Sequence, residues 1–347
     1  MENKVSCIKF FVDEQGIKQY VLRDIKGVQE IYDDKTLKLQ MRRGLLKVNN
    51  LLLTKDDKLR EKTKEKPLGL FKYIEEMKEK GTELDIEIEN KRVILKRVLK
   101  AINDEVILPD FVTDIAEYAF KDYKGDRIKL CSRMPSIKSL DRVFASTRVE
   151  VIDLTDFNAE GIKSMNYTFC DSTVRVIGFG NSFDIAVLES LRGTFKNCRN
   201  VRYLDIQLWN VREVVSMNEM CKGCYSLRTI DLGHWSVYQV IDMQGMFEDC
   251  KNLIEVIVPQ VAISNINYTI KLNSMFANCE ELTRLDMTHW TLQVGLINCY
   301  AMFKDCYKLE VVHLPSVRCK KCILTDMYKG LKQGYDTKKL MMKWEQK

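Results

Sequence analysis

MFANCEELTRLDMTHW, residues 275–290, recurs with small changes through the chain, and its recurrence decides the fold. The other copies read TFKNCRNVRYLDIQLW at 194–209, MCKGCYSLRTIDLGHW at 220–235, MFEDCKNLIEVIVP at 246–259 and MFKDCYKLEVVHLP at 302–315. Their anchors, Phe195, Cys221, Phe247, Phe276 and Phe303, are spaced by 26, 26, 29 and 27 residues. Weaker copies continue toward the N-terminus at Phe169, Phe144 and Phe120, and a last half-copy, TDMYKGL, centres on Tyr328. The period holds from about residue 101 to 330, as self-similarity in a repeat array does.

A period near 26 falls in the leucine-rich-repeat range, where each unit supplies one short strand and one helical or irregular turn. In SMNEMCKGCYSLRTIDL, residues 216–232, Met217, Met220, Cys221 and Cys224 follow spacings of three and four, which predicts a short helix with one apolar face. Leu227, Ile230 and Leu232 then mark a strand. One unit cannot bury its apolar face alone, so neighbours stack and their strands form a long parallel sheet. The predicted fold class is an α/β repeat, a leucine-rich-repeat solenoid with a parallel sheet on one face, preceded by a small α+β N-terminal module.

The columns of this alignment account for residues that would otherwise suggest chemistry. Cys198, Cys224, Cys250, Cys279 and Cys306 share one column and are expected to stack in the core as small apolar thiols. Trp209, Trp235 and Trp290 share another, with two readings: a cap on the turn after the strand, or an exposed aromatic row. Asp205, Asp231 and Asp286 form a third. His234 and His289 precede tryptophan in equivalent positions, and His313 stands in the aspartate column. Cys319 and Cys322, in CKKC, have zinc-ligand spacing but no second pair beside them. Neither a dinucleotide-binding nor a phosphate-loop motif occurs. The chain is therefore expected not to be an enzyme and to need no metal or cofactor.

The phrase MF-x-x-C-x-x-L-x-x-L-D-L-x-x-W resembles the BspA-type leucine-rich repeats of bacterial and protozoan surface proteins over about two thirds of the chain. VILPDFVTDIAEYAF, residues 106–120, is similar to a second form of that repeat. The resemblance implies a binding scaffold, often an adhesin, with no catalytic residues to carry over. The opening MENKVSCIKFFVDEQG lacks an export signal and no eighteen apolar residues run together, so the expected compartment is the cytoplasm, without membrane insertion.

Outside the repeat, four segments are expected: a module of hairpins plus a short helix over 1–66, a helix-and-strand cap over 67–105, the solenoid over 106–330, and a closing cap or tail over 331–347. Strands are predicted at VSCIKFFV, KQYVLRD, KVNNLLLT and KLREK, and helices at DDKTLKLQMRR and LGLFKYIEEMKEKG. Leu340, Met341 and Trp344 are expected to close the stack. The net charge of +6 resides in the first 100 residues, which hold 24 Lys and Arg against 18 Asp and Glu.

Period-two alternation turns Tyr203, Asp205, Thr229, Asp231, Glu255, Arg284, Asp286 and His313 outward on the strand face. This predominantly acidic set predicts recognition of another protein or a ribonucleoprotein through a basic surface. A sharper form of the same expectation is a phage-type inhibitor of a host defence effector such as a CRISPR nuclease. Two alternatives stand beside it. One is nucleic-acid binding by the basic N-terminal third through Lys91, Arg92, Lys96, Arg97 and Lys100; the other is surface adhesion.

Overall fold

A computed structural model describes residues 105–108, 112–130, 134, 137–180 and 183–331, the strands given below within 5–100, and Lys35, Leu37, Lys78, Glu79 and Trp344 as single positions. The chain divides into two compact units, Met1–Asn103 with Pro109–Ala116, and Asp104–Leu108 with Glu117–Lys347. Of the segment 67–105, expected as a cap of the stack, residues up to Asn103 group with the first unit and the last two with the second.

In the first unit β1 (Val5–Val12), β2 (Lys18–Asp24) and β3 (Gln29–Asp33) form an antiparallel meander, and β4 (Leu51–Leu53) pairs with β5 (Leu59–Glu61). A third sheet joins β6 (Glu83–Glu89), β7 (Arg92–Lys100) and β9 (Asp114–Ile115). Lys35, Leu37, Lys78 and Glu79 are helical; the rest of the two expected helices lies outside the described residues.

The second unit is a parallel β-solenoid of about eight coils with almost no helix. Coils meet along three lines. The first carries β8 (Glu105–Ile107), β10 (Arg127–Lys129), β11 (Val151–Leu154) and β12 (Val176–Phe179) as one parallel sheet. It continues in the pairs β13 (Thr229–Asp231) with β15 (Glu255–Ile257), and β17 (Arg284–Asp286) with β19 (Val311–His313). The second line carries β14 (Ser236–Val237), β16 (Gln260–Lys271), β18 (Thr291–Asn298) and β20 (Ser316–Ile323). The third is a row of single bridges through Ser139, Ser164, Ser190, Ser216, Asp242 and Lys271.

The segment expected to be helical is not a helix. Its alternate amides leave the coil: Met217, Glu219, Cys221 and Gly223 donate to the carbonyls of Asp242, Gln244, Met246 and Glu248 in the next coil. The amides between them, Met220, Lys222 and Cys224, close turns onto Met217, Glu219 and Cys221. An α-helix would keep all of these bonds within the segment. The alternation also requires left-handed backbone two residues before and two after each anchor. The later position reads Asp122, Ser146, Asp171, Asn197, Gly223, Asp249, Asn278, Asp305 and Gly330, all at positive φ. Asn, Asp and Gly tolerate that conformation best. At Gly223, φ +73, a β-carbon would in addition collide with the Asn197 amide oxygen.

Inside the stack Phe120, Phe144, Phe169 and Phe195 stack at centroid distances of 5.2, 5.4 and 5.4 Å. Cys221 interrupts the column, which resumes through Phe247, Phe276, Phe303 and Tyr328 at 5.5, 5.8 and 5.7 Å. Each column cysteine does more than fill space. The thiols of Cys198, Cys224, Cys250, Cys279 and Cys306 donate to the anchor carbonyls of the preceding coil, at 2.9–3.1 Å. The tryptophans are buried, which removes the exposed-row reading. Trp235 Nε1 donates to the Ile206 carbonyl and Trp290 Nε1 to the Pro259 carbonyl, both at 2.8 Å, so each fastens its corner to the coil before it. Trp209 Nε1 makes no such bond.

The irregular spacing of 29 has a local cause. Between Asn265 and Thr269, β16 places Ile266, Asn267 and Tyr268 opposite the single residue Gly295 of β18. The two extra residues bulge outward and leave the anchors in register. At the C-terminus Trp344 is helical and buried; Leu340 and Met341 lie outside the described residues.

These bonds separate the two tryptophans in a denaturation experiment. Trp235→Phe is expected to cost about 1 kcal/mol in urea unfolding, because the Ile206 carbonyl keeps the Trp209 amide but loses the indole donor, while Trp209→Phe costs less. Equal losses would remove the indole hydrogen bond from the account.

Candidate partner-binding face

The first line of strands presents two outward columns of side chains, because residues on either side of the buried central one point to solvent. On the first four strands these columns neutralise themselves. Arg127 pairs with Glu105 at 3.5 Å and with Asp153, while Lys129 reaches Asp156 at 2.8 Å. Burial of Asp153 opposes its charge, but the hydroxyl and amide of Thr155 and the Arg127 guanidinium together outweigh that and hold its carboxyl at about 2.

Farther along, the columns are open. Thr229 lies beside Glu255 and Asp231 beside Ile257; Arg284 lies beside Val311 and Asp286 beside His313. Tyr203 and Asp205 require a correction: both are exposed in the matching register but belong to an irregular extended segment rather than a strand. Beneath that segment the core is filled by the cluster of Phe179, Phe183, Phe195 and Trp209, with Phe179 set edge-on to the Trp209 ring at 4.9 Å.

The aspartates have a structural duty as well as an outward charge. Asp231 accepts the Gly233 amide at 2.8 Å, and Asp286 accepts the Thr288 amide at 2.9 Å and hydroxyl at 2.7 Å. These Thr288 bonds, aided by His313 Nδ1 at 3.7 Å, lower the Asp286 carboxyl below the usual carboxylate range. The acidic description of the face was incomplete, because apolar positions interleave with the charges. Val176 and Tyr203 are each 55% exposed, Ile257 47% and Val311 45%. Sequence reasoning missed Val176, Ile257 and Val311, because their apolar side chains read as core even though the alternation that turns Glu255 and His313 outward carries Ile257 and Val311 with them.

The turn side of the stack differs in being closed by ion pairs between coils. Lys196 meets Glu219 at 2.6 Å and Lys222 meets Glu248 at 2.8 Å. Burial works against the Glu219 charge, but Lys196 and Lys222 overcome it and lower its pKa.

Of the basic N-terminal candidates, Arg92 is held by Asp114, with Nε to Oδ2 at 2.8 Å, and Lys96 by Glu87 at 3.0 Å. Arg97 is exposed on β7, Lys100 ends that strand, and Lys91 lies outside the described residues. Cys319 and Cys322 sit on β20 opposite Val294 and Ile297; among the described residues no cluster of His, Cys, Asp and Glu has the arrangement of a metal site. Nor, among them, is any helix long and apolar enough to cross a membrane.

The model of a family described as Mycoplasma protein of unknown function, DUF285, matches residues 138–257 and 172–290, both within the coil stack. No curated protein matches the chain.

Two measurements check this description. Asp153 has a folded pKa below its unfolded value, so its contribution to stability is complete above about pH 4 and is lost as pH falls toward 2. Asp153→Asn should therefore cost on the order of 1–2 kcal/mol at pH 7, the deficit shrinking on acidification; a pH-independent deficit would mean that the charge is not what matters. Burial raises the pKa of Cys299 and pushes Cys306 up to about 12, and Cys319 alone of the described thiols is partly exposed. Among these, Cys319 should be alkylated first in the native state, and early labelling of Cys224 or Cys250 would contradict the buried thiol ladder.

Proposed function

We propose that the coil stack is a non-catalytic scaffold that binds another protein through the open half of its strand face. The observation that carries this reading is the interleaving of exposed Tyr203, Ile257 and Val311 with Asp205, Glu255, Asp286 and His313 along the strand line and the extended segment that continues it. Interfaces between proteins combine apolar anchors with a charged surround in this way. The turn side and the first four strands, whose charges are already paired, offer less to a partner.

The length of the coils and the MF-x-x-C-x-x-L phrase support assigning them to the BspA-type leucine-rich repeats. The thiol ladder supports work in a reducing compartment such as the cytosol, because each sulfur serves as a hydrogen-bond donor only while it keeps its proton. The ion pairs at Arg92 and Lys96 favour a protein partner over nucleic acid bound by the N-terminal third.

The test is affinity capture from lysate of the native host, with nuclease treatment, comparing the full chain with the triple variant Tyr203→Glu, Ile257→Glu and Val311→Glu. A nuclease-resistant protein retained by the first and lost, by at least about tenfold, from the second is expected for a hot-spot surface. Retention by both proteins would move the interface elsewhere, and a nuclease-sensitive complex would replace this reading with nucleic-acid binding.

A further inference from the structure

Arg202 and Arg228 occupy the same place in adjacent coils, immediately before the outward strand position. The Arg228 amide donates to the Arg202 carbonyl at 3.4 Å, so their backbones lie one coil apart, about 4.8 Å. Both side chains are exposed, and among the described residues neither meets a carboxylate. The cations of the flanking coils are compensated: Arg175 faces Glu150 at 3.5 Å and Lys251 faces Glu280 at 2.8 Å. In the coil after Arg228 the same position is Ile254. The uncompensated stretch is therefore two coils wide, with Arg175 neutralised on one side and, on the other, Ile254 followed by the exposed Glu255, whose amide donates to the Arg228 carbonyl. Two like charges stacked at this spacing repel each other, and an anion from outside would relieve that repulsion.

The surroundings give the pair its selectivity. Arg199 lies over the Tyr225 ring at 5.2 Å and adds a third cation at the margin, while Tyr203 stands exposed beside Arg202. Asp205 and Asp231 lie three residues farther along the same segments, about 10 Å away for extended backbone. A polyphosphate laid across the face would meet those carboxylates and be repelled. A protein segment avoids this conflict by presenting carboxylates to the arginines and neutral or basic groups to the aspartates.

We propose that Arg202 and Arg228 anchor two carboxylates of a short acidic segment in the partner protein, spaced as Glu-x-Glu. In an extended segment such carboxylates are about 6.6 Å apart along the chain, within the compass of two flexible guanidinium stems on neighbouring coils. This names the partner's chemistry for the strand face and rests on that reading.

The test uses fluorescence anisotropy at low salt with the full chain and three probes: a decapeptide containing Glu-x-Glu flanked by Lys, its Gln-x-Gln counterpart, and decathymidylate. The Glu peptide is expected to bind at least about tenfold more tightly than the Gln peptide, and Arg202→Gln with Arg228→Gln to abolish that preference. Equal binding of the two peptides, or a preference unchanged in the double variant, overturns the proposal. Tighter binding of decathymidylate with the same arginine dependence also overturns it, assigning the pair to phosphate. Thermal melts of both proteins establish that the variant is folded. If the captured protein partner is lost with the Tyr203, Ile257 and Val311 substitutions yet kept by the arginine variant, the anchor fails while the strand-face scaffold stands.

Discussion

The backbone hydrogen bonds that run from one coil to the next constrain everything else in the stack. Where the chain is extended they form ordinary parallel ladders, but at the anchor segment half of the amides cross between coils while the other half close tight turns. That alternation allows each anchor ring to lie over the next and brings every column cysteine under a carbonyl of its neighbour. The carbonyl of Phe195, for example, accepts both the Cys198 amide and the Cys224 thiol, using two lone pairs that burial would otherwise leave partly idle. Such satisfaction matters because an unpaired polar group in this core would cost about as much as the hydrogen bond it lacks.

A stack held this way depends on nearest neighbours, as repeat arrays do. The aromatic column supplies contact in most coils, and where Cys221 breaks it the task passes to Trp209 and Trp235, stacked at 6.2 Å. Because the interior is occupied with its own stacking, variety among coils is displaced to the surface. The paired charges of Arg127, Lys129 and Asp153 and the open Glu255, Ile257 and Val311 occupy equivalent positions in different coils, which makes one scaffold locally inert and locally receptive.

Much of this was legible in the chain itself. The period, the phenylalanine anchors, the buried cysteine column and the short strands all follow from repetition alone. The turn segment was misread because apolar spacings of three and four suit one face of a helix and a pair of tight turns equally well. The discriminating sign lay two residues past each anchor, where Asp, Asn and Gly recur from Asp122 to Gly330; that composition belongs to left-handed backbone, not to a helix interior. Other features had no local sign. The pairing of Arg92 with Asp114 spans 22 residues, so a basic run looked freer than it is. The neighbour that Ile257 meets across the coils, Asp231, depends on register, which only the assembled sheet displays.

The bulge at Ile266–Tyr268 has an evolutionary consequence. That coil holds two more residues than the strand beside it, yet Phe276 stays beneath Phe247 and the ladder is undisturbed on either side. Insertions of this kind are absorbed entirely outside the core, so descendants of this chain could acquire loops, new recognition elements or altered contours one coil at a time. Selection on the surface is thereby uncoupled from selection on folding, and lineages with the same interior can diverge widely in what they hold.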